Sequence, residues 1–84
     1  MIIYGTQDCS TCIAAKAELD DLGITYEFKD LALTINIKEF LKHRDTLNIY
    51  AEVKELGAIG IPTFVLEDET ITIELDEVKK FYGA

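Results

Sequence analysis

The chain has 84 residues, 49% of them hydrophobic, and sixteen acidic against eight basic side chains give it a formal charge of −8. That length supports one domain, 1–84, with a single core and room for two layers. A surface of that sign repels phosphate backbones and anionic lipid, so neither nucleic acid nor a membrane is expected as a partner.

Met1 runs directly into Ile2, Ile3 and Tyr4 without a basic region or a long apolar stretch, so the expectation is no signal peptide, no transmembrane helix and a cytoplasmic protein. The run Met1 to Tyr4, ended by Gly5 and Thr6, reads as a strand buried on both faces and therefore central in a sheet. Cys9-Ser10-Thr11-Cys12 follows and opens a helix. Cys12, Ala15, Leu19 and Leu22 recur along it as one apolar stripe, and Gly23 is the C-terminal stop. Ile24 to Lys29 alternates apolar and polar residues as a half-buried strand does. Strand, helix and strand in this span form a βαβ unit, which predicts parallel strands and a right-handed crossover.

Asn36 followed by Glu39 predicts a capping-box variant at the start of a helix whose apolar positions are Ile37, Phe40 and Leu41. A break between Asp45 and Leu47 precedes a second helical piece from Asn48, carrying Ile49, Val53 and Leu56. Gly57 to Thr63 reads as a loop entering a strand, because Pro62 forces Ile61 into an extended conformation and has no N–H for a ladder. Thr63 to Glu67 and Thr70 to Glu74 predict an antiparallel hairpin, and Asp76 the cap of a last helix with Val78, Phe81 and Tyr82. The order is βαβαββα, an α/β chain with a mixed four-stranded sheet flanked by helices. Six acids between Glu67 and Glu77 read as a solvated hairpin tip and helix start, with a docking patch as the alternative.

Cys9 and Cys12 are the only cysteines. In a first helical turn, positions three apart share a face with Cβ atoms about 5–6 Å apart, and a disulfide needs Cα atoms about 4.4–6.8 Å apart. The pair can thus open and close with little backbone movement. Cys9, ahead of the helix, faces unpaired N–H groups and is the expected nucleophile, while Cys12 on the buried stripe is the resolving thiol. The helix terminus favours the Cys9 thiolate by about 0.3–1 kcal/mol, and Asp8 opposes it by about 0.6 kcal/mol at ~7 Å in water. The two nearly cancel. A structural staple is the poorer use of the pair, since so short a loop gains only about 2 kcal/mol. Zinc would need four ligands, and with His43 the single histidine, no metal site is expected within one chain.

The Cys-x-x-C placement, the element order and Gly60-Ile61-Pro62-Thr63 together resemble the glutaredoxins, a branch of the thioredoxin fold, over essentially the whole chain. The resemblance implies that Cys9 attacks a disulfide, that Cys12 releases the mixed disulfide, and that Pro62 is a cis-proline beside them. It implies a substrate-binding segment Ile61, Pro62 and Thr63, with the Ile61 backbone bonding an extended chain. The motif departs from the family at Ser10 and Thr11, which replace Pro-Tyr. Glutaredoxins also carry a Lys before the first cysteine and a Gly-Gly-Cys/Ser-Asp segment that hold glutathione. Here Thr6 and Glu74-Leu75-Asp76-Glu77 stand instead, with Lys38, Arg44 and Lys54 as basic residues able to compensate.

The expected activity is therefore that of a dithiol thiol–disulfide oxidoreductase acting on disulfide-containing proteins. No tightly bound cofactor is expected, and the chain is expected to be a monomer. Glutathione, as cosubstrate, or a thioredoxin-reductase-type flavoprotein would supply electrons. The alternatives are an iron–sulfur or metal carrier formed by two chains through Cys9, and a redox-sensing adaptor.

Overall fold

The structure, a computed structural model, describes residues 1–83. Strand β1 (Ile2–Gly5) lies at the centre of a four-stranded sheet. It pairs in parallel with β2 (Glu27–Asp30), Ile3 opposite Phe28 and Gly5 opposite Asp30. On its other edge it pairs antiparallel with β3 (Thr63–Val65), Tyr4 opposite Thr63, and β4 (Ile71–Thr72) completes the hairpin. The sheet order is β2-β1-β3-β4. The central strand, the parallel pair and the hairpin are as expected from sequence.

Successive side chains of a strand point to opposite faces, and β1 uses this to serve two cores. Ile3 packs with Phe64 against Ala15 and Leu19 of α1 (Ser10–Asp21) and Val78 of α4 (Leu75–Phe81). Tyr4 packs with Leu31 against Phe40 of α2 (Thr34–Thr46) and Tyr50 of a single 3-10 turn, Asn48–Tyr50, that leads into α3 (Ala51–Glu55). With both faces covered the domain has three layers, not the two expected, because strands of two to four residues leave small faces that short helices can cover.

Four local expectations need correction. Leu22 falls at the C-cap of α1, past its last turn, and is 45% exposed, while Gly23, at φ +71°, supplies the left-handed stop. β2 begins only at Glu27, and Ile24 and Tyr26 pack on the first core from the connection before it. Asn36 and Glu39 form no capping box, since α2 starts at Thr34 behind Leu33, which makes no side-chain cap. Instead Asn36 is buried and its Nδ2 donates to the Asp30 carbonyl at 2.9 Å. Glu39 reaches across to Lys29 Nζ, 2.9 Å, and accepts the Tyr4 hydroxyl proton, 2.9 Å. Likewise Glu74, not Asp76, occupies the N-cap of α4, and Asp76 lies in its first turn. Among the described residues no helix is long and apolar enough to cross a membrane.

Candidate active site

Cys9 occupies the N-cap of α1 in extended conformation, φ −83° and ψ 117°, and its carbonyl accepts the first helical bond from Ile13 N at 3.0 Å. A capping side chain must accept an orphan N–H of the first turn, and here the sulfur does so: Cys12 N donates to Cys9 Sγ at 3.2 Å. Thr11 Oγ1 lies 3.1 Å from the same sulfur. Burial works against a Cys9 thiolate, but hydrogen bonds from the Cys12 and Thr11 side chains, and from the backbone N–H of both, outweigh it and hold the thiol below its ordinary value. Directed bonds thus decide what the charge balance between the helix terminus and Asp8 left open.

Cys12 sits one turn inside, fully buried. Burial pushes its thiol up to about 11, and its hydrogen bond to Cys9 adds to the effect. Gly5, at the end of β1, makes that position available: a Cβ there would lie 2.7 Å from Cys12 Sγ, inside any real contact distance. Both cysteines are free thiols, Cys9 partly exposed and Cys12 enclosed, which is the asymmetry expected from their placement. Ser10 and Thr11 are both exposed beside them.

β1 ends at Gly5 and β3 begins at Thr63, with Tyr4 opposite Thr63, so the loop before β3 reaches the same end of the sheet as the cysteine motif. The Ile61–Pro62 peptide bond is cis. Ile61 and Pro62 line, with Thr11 and Leu75, an open depression of about 370 Å³. Among the described residues, no hydrogen bond outside the strands and helices engages the Ile61 backbone. Thr63 stands elsewhere than expected. It is fully buried and cannot touch a bound chain; its hydroxyl donates to the Gly60 carbonyl at 2.7 Å and meets the Tyr50 hydroxyl at 2.8 Å. Since its one proton is spent on Gly60, Tyr50 must be the donor of the second bond.

Three residues that sequence reading passed over or misjudged shape the site, the first two by holding this loop. Tyr50 packs under Gly60, which sits at φ +96° and whose missing Cβ leaves room for the Tyr50 ring, 2.9 Å from where that atom would be. Arg44 is not a free cation: its Nε donates to Ile59 O at 2.7 Å and its Nη2 to Ala58 O at 2.8 Å. The third is Gly5, read only as the end of a strand. The available signal for Tyr50 was its pairing with Val53 three residues on, one step out of register with the Ile49, Val53 and Leu56 stripe; Ile49 and Leu56 are in fact exposed. Lys38 and Lys54 are exposed as well. His43 lies edge-on to the Tyr4 ring, centroids 6.0 Å apart. Among the described residues no three His, Cys, Asp or Glu side chains gather as a metal ion would require.

A protein of Haemophilus influenzae described as uncharacterized is similar to this chain, 27% identical over 82 residues that span 96% of this chain and 95% of that one. No family model and no solved structure matches the chain.

Proposed function

We propose that the protein is a glutaredoxin-like thiol–disulfide oxidoreductase, with Cys9 as nucleophile and Cys12 as resolving thiol. One observation carries the reading: two thiols three residues apart have opposite environments, one partly exposed and favoured as thiolate, the other buried and held protonated. A staple or an inert pair has no need of that difference. The sheet order, the parallel β1–β2 pair and the Ile61–Pro62 segment at the cysteine end of the sheet support a thioredoxin-type fold.

The Cys9 thiolate attacks one sulfur of a protein disulfide; the Cys9–substrate bond forms, the substrate S–S bond breaks, and its electron pair leaves with the other substrate sulfur, which takes a proton. Cys12 then gives up its proton and attacks Cys9 Sγ, releasing the second substrate thiol and closing the Cys9–Cys12 disulfide. The substrate gains two electrons and the protein loses two. A dithiol flavoprotein reductase of the thioredoxin-reductase class restores them. Thr6 and the acidic Glu74 to Glu77 segment, with Arg44 committed to carbonyls, disfavour glutathione, which carries a carboxylate at each end, as the principal donor.

With a disulfide-bonded test protein, Cys12→Ser should accumulate a mixed disulfide and Cys9→Ser none. Equal adduct from both variants would remove the case for a fixed nucleophile. In the wild type, NADPH consumption should be faster with the flavoprotein than with glutathione and its reductase. The reverse result would return the donor to glutathione.

A further inference from the structure

Beside Cys9, on the α2 side of the motif, lies an open groove of about 750 Å³. Its floor is apolar, with Phe40 and Leu31 buried beneath and Ile37, Leu41 and Ile59 left 37%, 39% and 56% exposed. These three side chains leave apolar surface uncovered on one concave face, although the periodicity of α2 marks Ile37 and Leu41 as core. Asp8, the neighbour of Cys9, and Asp30, at the end of β2, stand on the wall at the sheet's end. Neither carboxylate is in an ion pair among the described residues. The one cation lining the groove is Arg44, whose Nε and Nη2 are already given to Ile59 and Ala58.

We infer that this groove binds the segment of a substrate protein flanking its disulfide, and that it selects a bulky apolar residue accompanied by Lys or Arg. The inference rests on the oxidoreductase reading and names its substrate class. The apolar floor takes a leucine or phenylalanine side chain, since desolvating such surface on both sides is the main favourable term available. The two carboxylates then favour a cation beside it. A second copy of this chain is a poor occupant, because each copy carries a charge of −8. An anionic thiol peptide would bring its own carboxylates against Asp8 and Asp30.

The test uses Cys12→Ser protein and two cysteine peptides, one with Leu and Arg beside the cysteine and one with Ser and Glu, each activated as a mixed disulfide with thionitrobenzoate. Attack forms the Cys9–peptide disulfide, breaks the peptide–thionitrobenzoate bond and sends the electron pair out with the coloured thiolate. The leaving group is common, so the rates differ only through the flanking residues. The Leu/Arg peptide should react at least tenfold faster. Leu41→Ser combined with Ile37→Ser should reduce that advantage to less than threefold while leaving the rate with the small neutral disulfide dithiodipyridine unchanged, which also reports that the variant is folded. Asp8→Asn with Asp30→Asn, which keeps an acceptor for Ala32 N, should lower the advantage of the Leu/Arg peptide and lessen its weakening by salt. Equal rates for the two peptides overturn the groove's role but leave the dithiol reading standing. If the wild type fails to accelerate reduction of a protein disulfide by dithiothreitol, the oxidoreductase reading falls and the inference with it.

Discussion

The two faces of the sheet are built on different principles. On the α1 and α4 face the buried cluster is Ile3, Ala15, Leu19, Phe64, Leu66 and Val78, without a polar atom in any side chain. A Lys79–Glu18 ion pair joins the two helices at the rim. On the α2 face the buried cluster is Tyr4, Leu31, Phe40 and Tyr50, and its hydroxyls are bonded to Glu39 and Thr63. Burial and Glu39 together push the Tyr4 phenol up to about 12. Asn36 and Arg44 add bonds to the backbones of β2 and of the loop before Pro62. Apolar burial stabilises without direction, whereas buried polar groups are costly unless their geometry is met and therefore fix positions. One face supplies stability, and the other holds Gly60, Ile61 and Pro62 in place.

That division is open to direct attack. Leu19→Ala, on the apolar face, should cost about 2–5 kcal/mol of unfolding free energy in a denaturant titration, the range for buried leucine truncation. Disulfide reduction per folded molecule should not change. An equal loss of activity per folded molecule would show that the two faces do not divide the work.

Tyr50→Phe should do the reverse. It keeps the ring against Gly60 and removes only the proton donated to Thr63, a loss of about 0.5–1.5 kcal/mol. The freed loop should raise KM for a protein disulfide roughly two- to twelvefold, the equivalent of that energy, while Cys9 alkylation stays unchanged. An unchanged KM would mean that the Tyr50–Thr63 bond serves stability alone.

The apolar face was the more legible in sequence. Cys12, Ala15 and Leu19 keep helical spacing, Gly23 ends the helix, and along α1 the one error was to extend the stripe to Leu22, beyond the last turn. The other face misled the same method. Ile49 and Leu56 keep a spacing as regular as that of a core stripe, yet Tyr50 is the residue that turns inward. Ile37 and Leu41 match a core pattern and instead line a groove, because periodicity reports which residues share a face and not whether that face is covered. Asn36 and Glu39 matched a cap signature, but tertiary partners on β2 and β1 claimed both side chains. At the candidate site the cysteine pair and the deeper burial of Cys12 were legible from position alone. The cis geometry of Pro62 came only by resemblance, since X–Pro bonds in folded proteins are cis in about 5–6% of cases. The bond from Thr11 to Cys9 depends on a rotamer that no spacing specifies.

That bond gives the smallest predicted effect and the sharpest one on chemistry. Thr11 is exposed, so Thr11→Val should shift stability by no more than about 0.5 kcal/mol. It removes one of the hydrogen bonds that favour the Cys9 thiolate, and alkylation of Cys9 at pH 7 should slow roughly two- to twelvefold, as expected for a bond of about 0.5–1.5 kcal/mol. The pH profile separates this from a change in access. Cys9 titrates below the ordinary thiol value, so its thiolate stabilises the reduced fold above that value, and the contribution is lost as pH falls through the lower folded one. Cys12 has the opposite sign: its contribution is full below the ordinary value and lost as pH rises through about 11. Mass-mapped alkylation against pH should therefore show Cys9 reacting with an inflection below the ordinary thiol range and Cys12 with one near 11. Thr11→Val should move the first inflection upward and leave the second in place. A uniform slowing at every pH, with no displaced inflection, would mean that Thr11 only shields the sulfur.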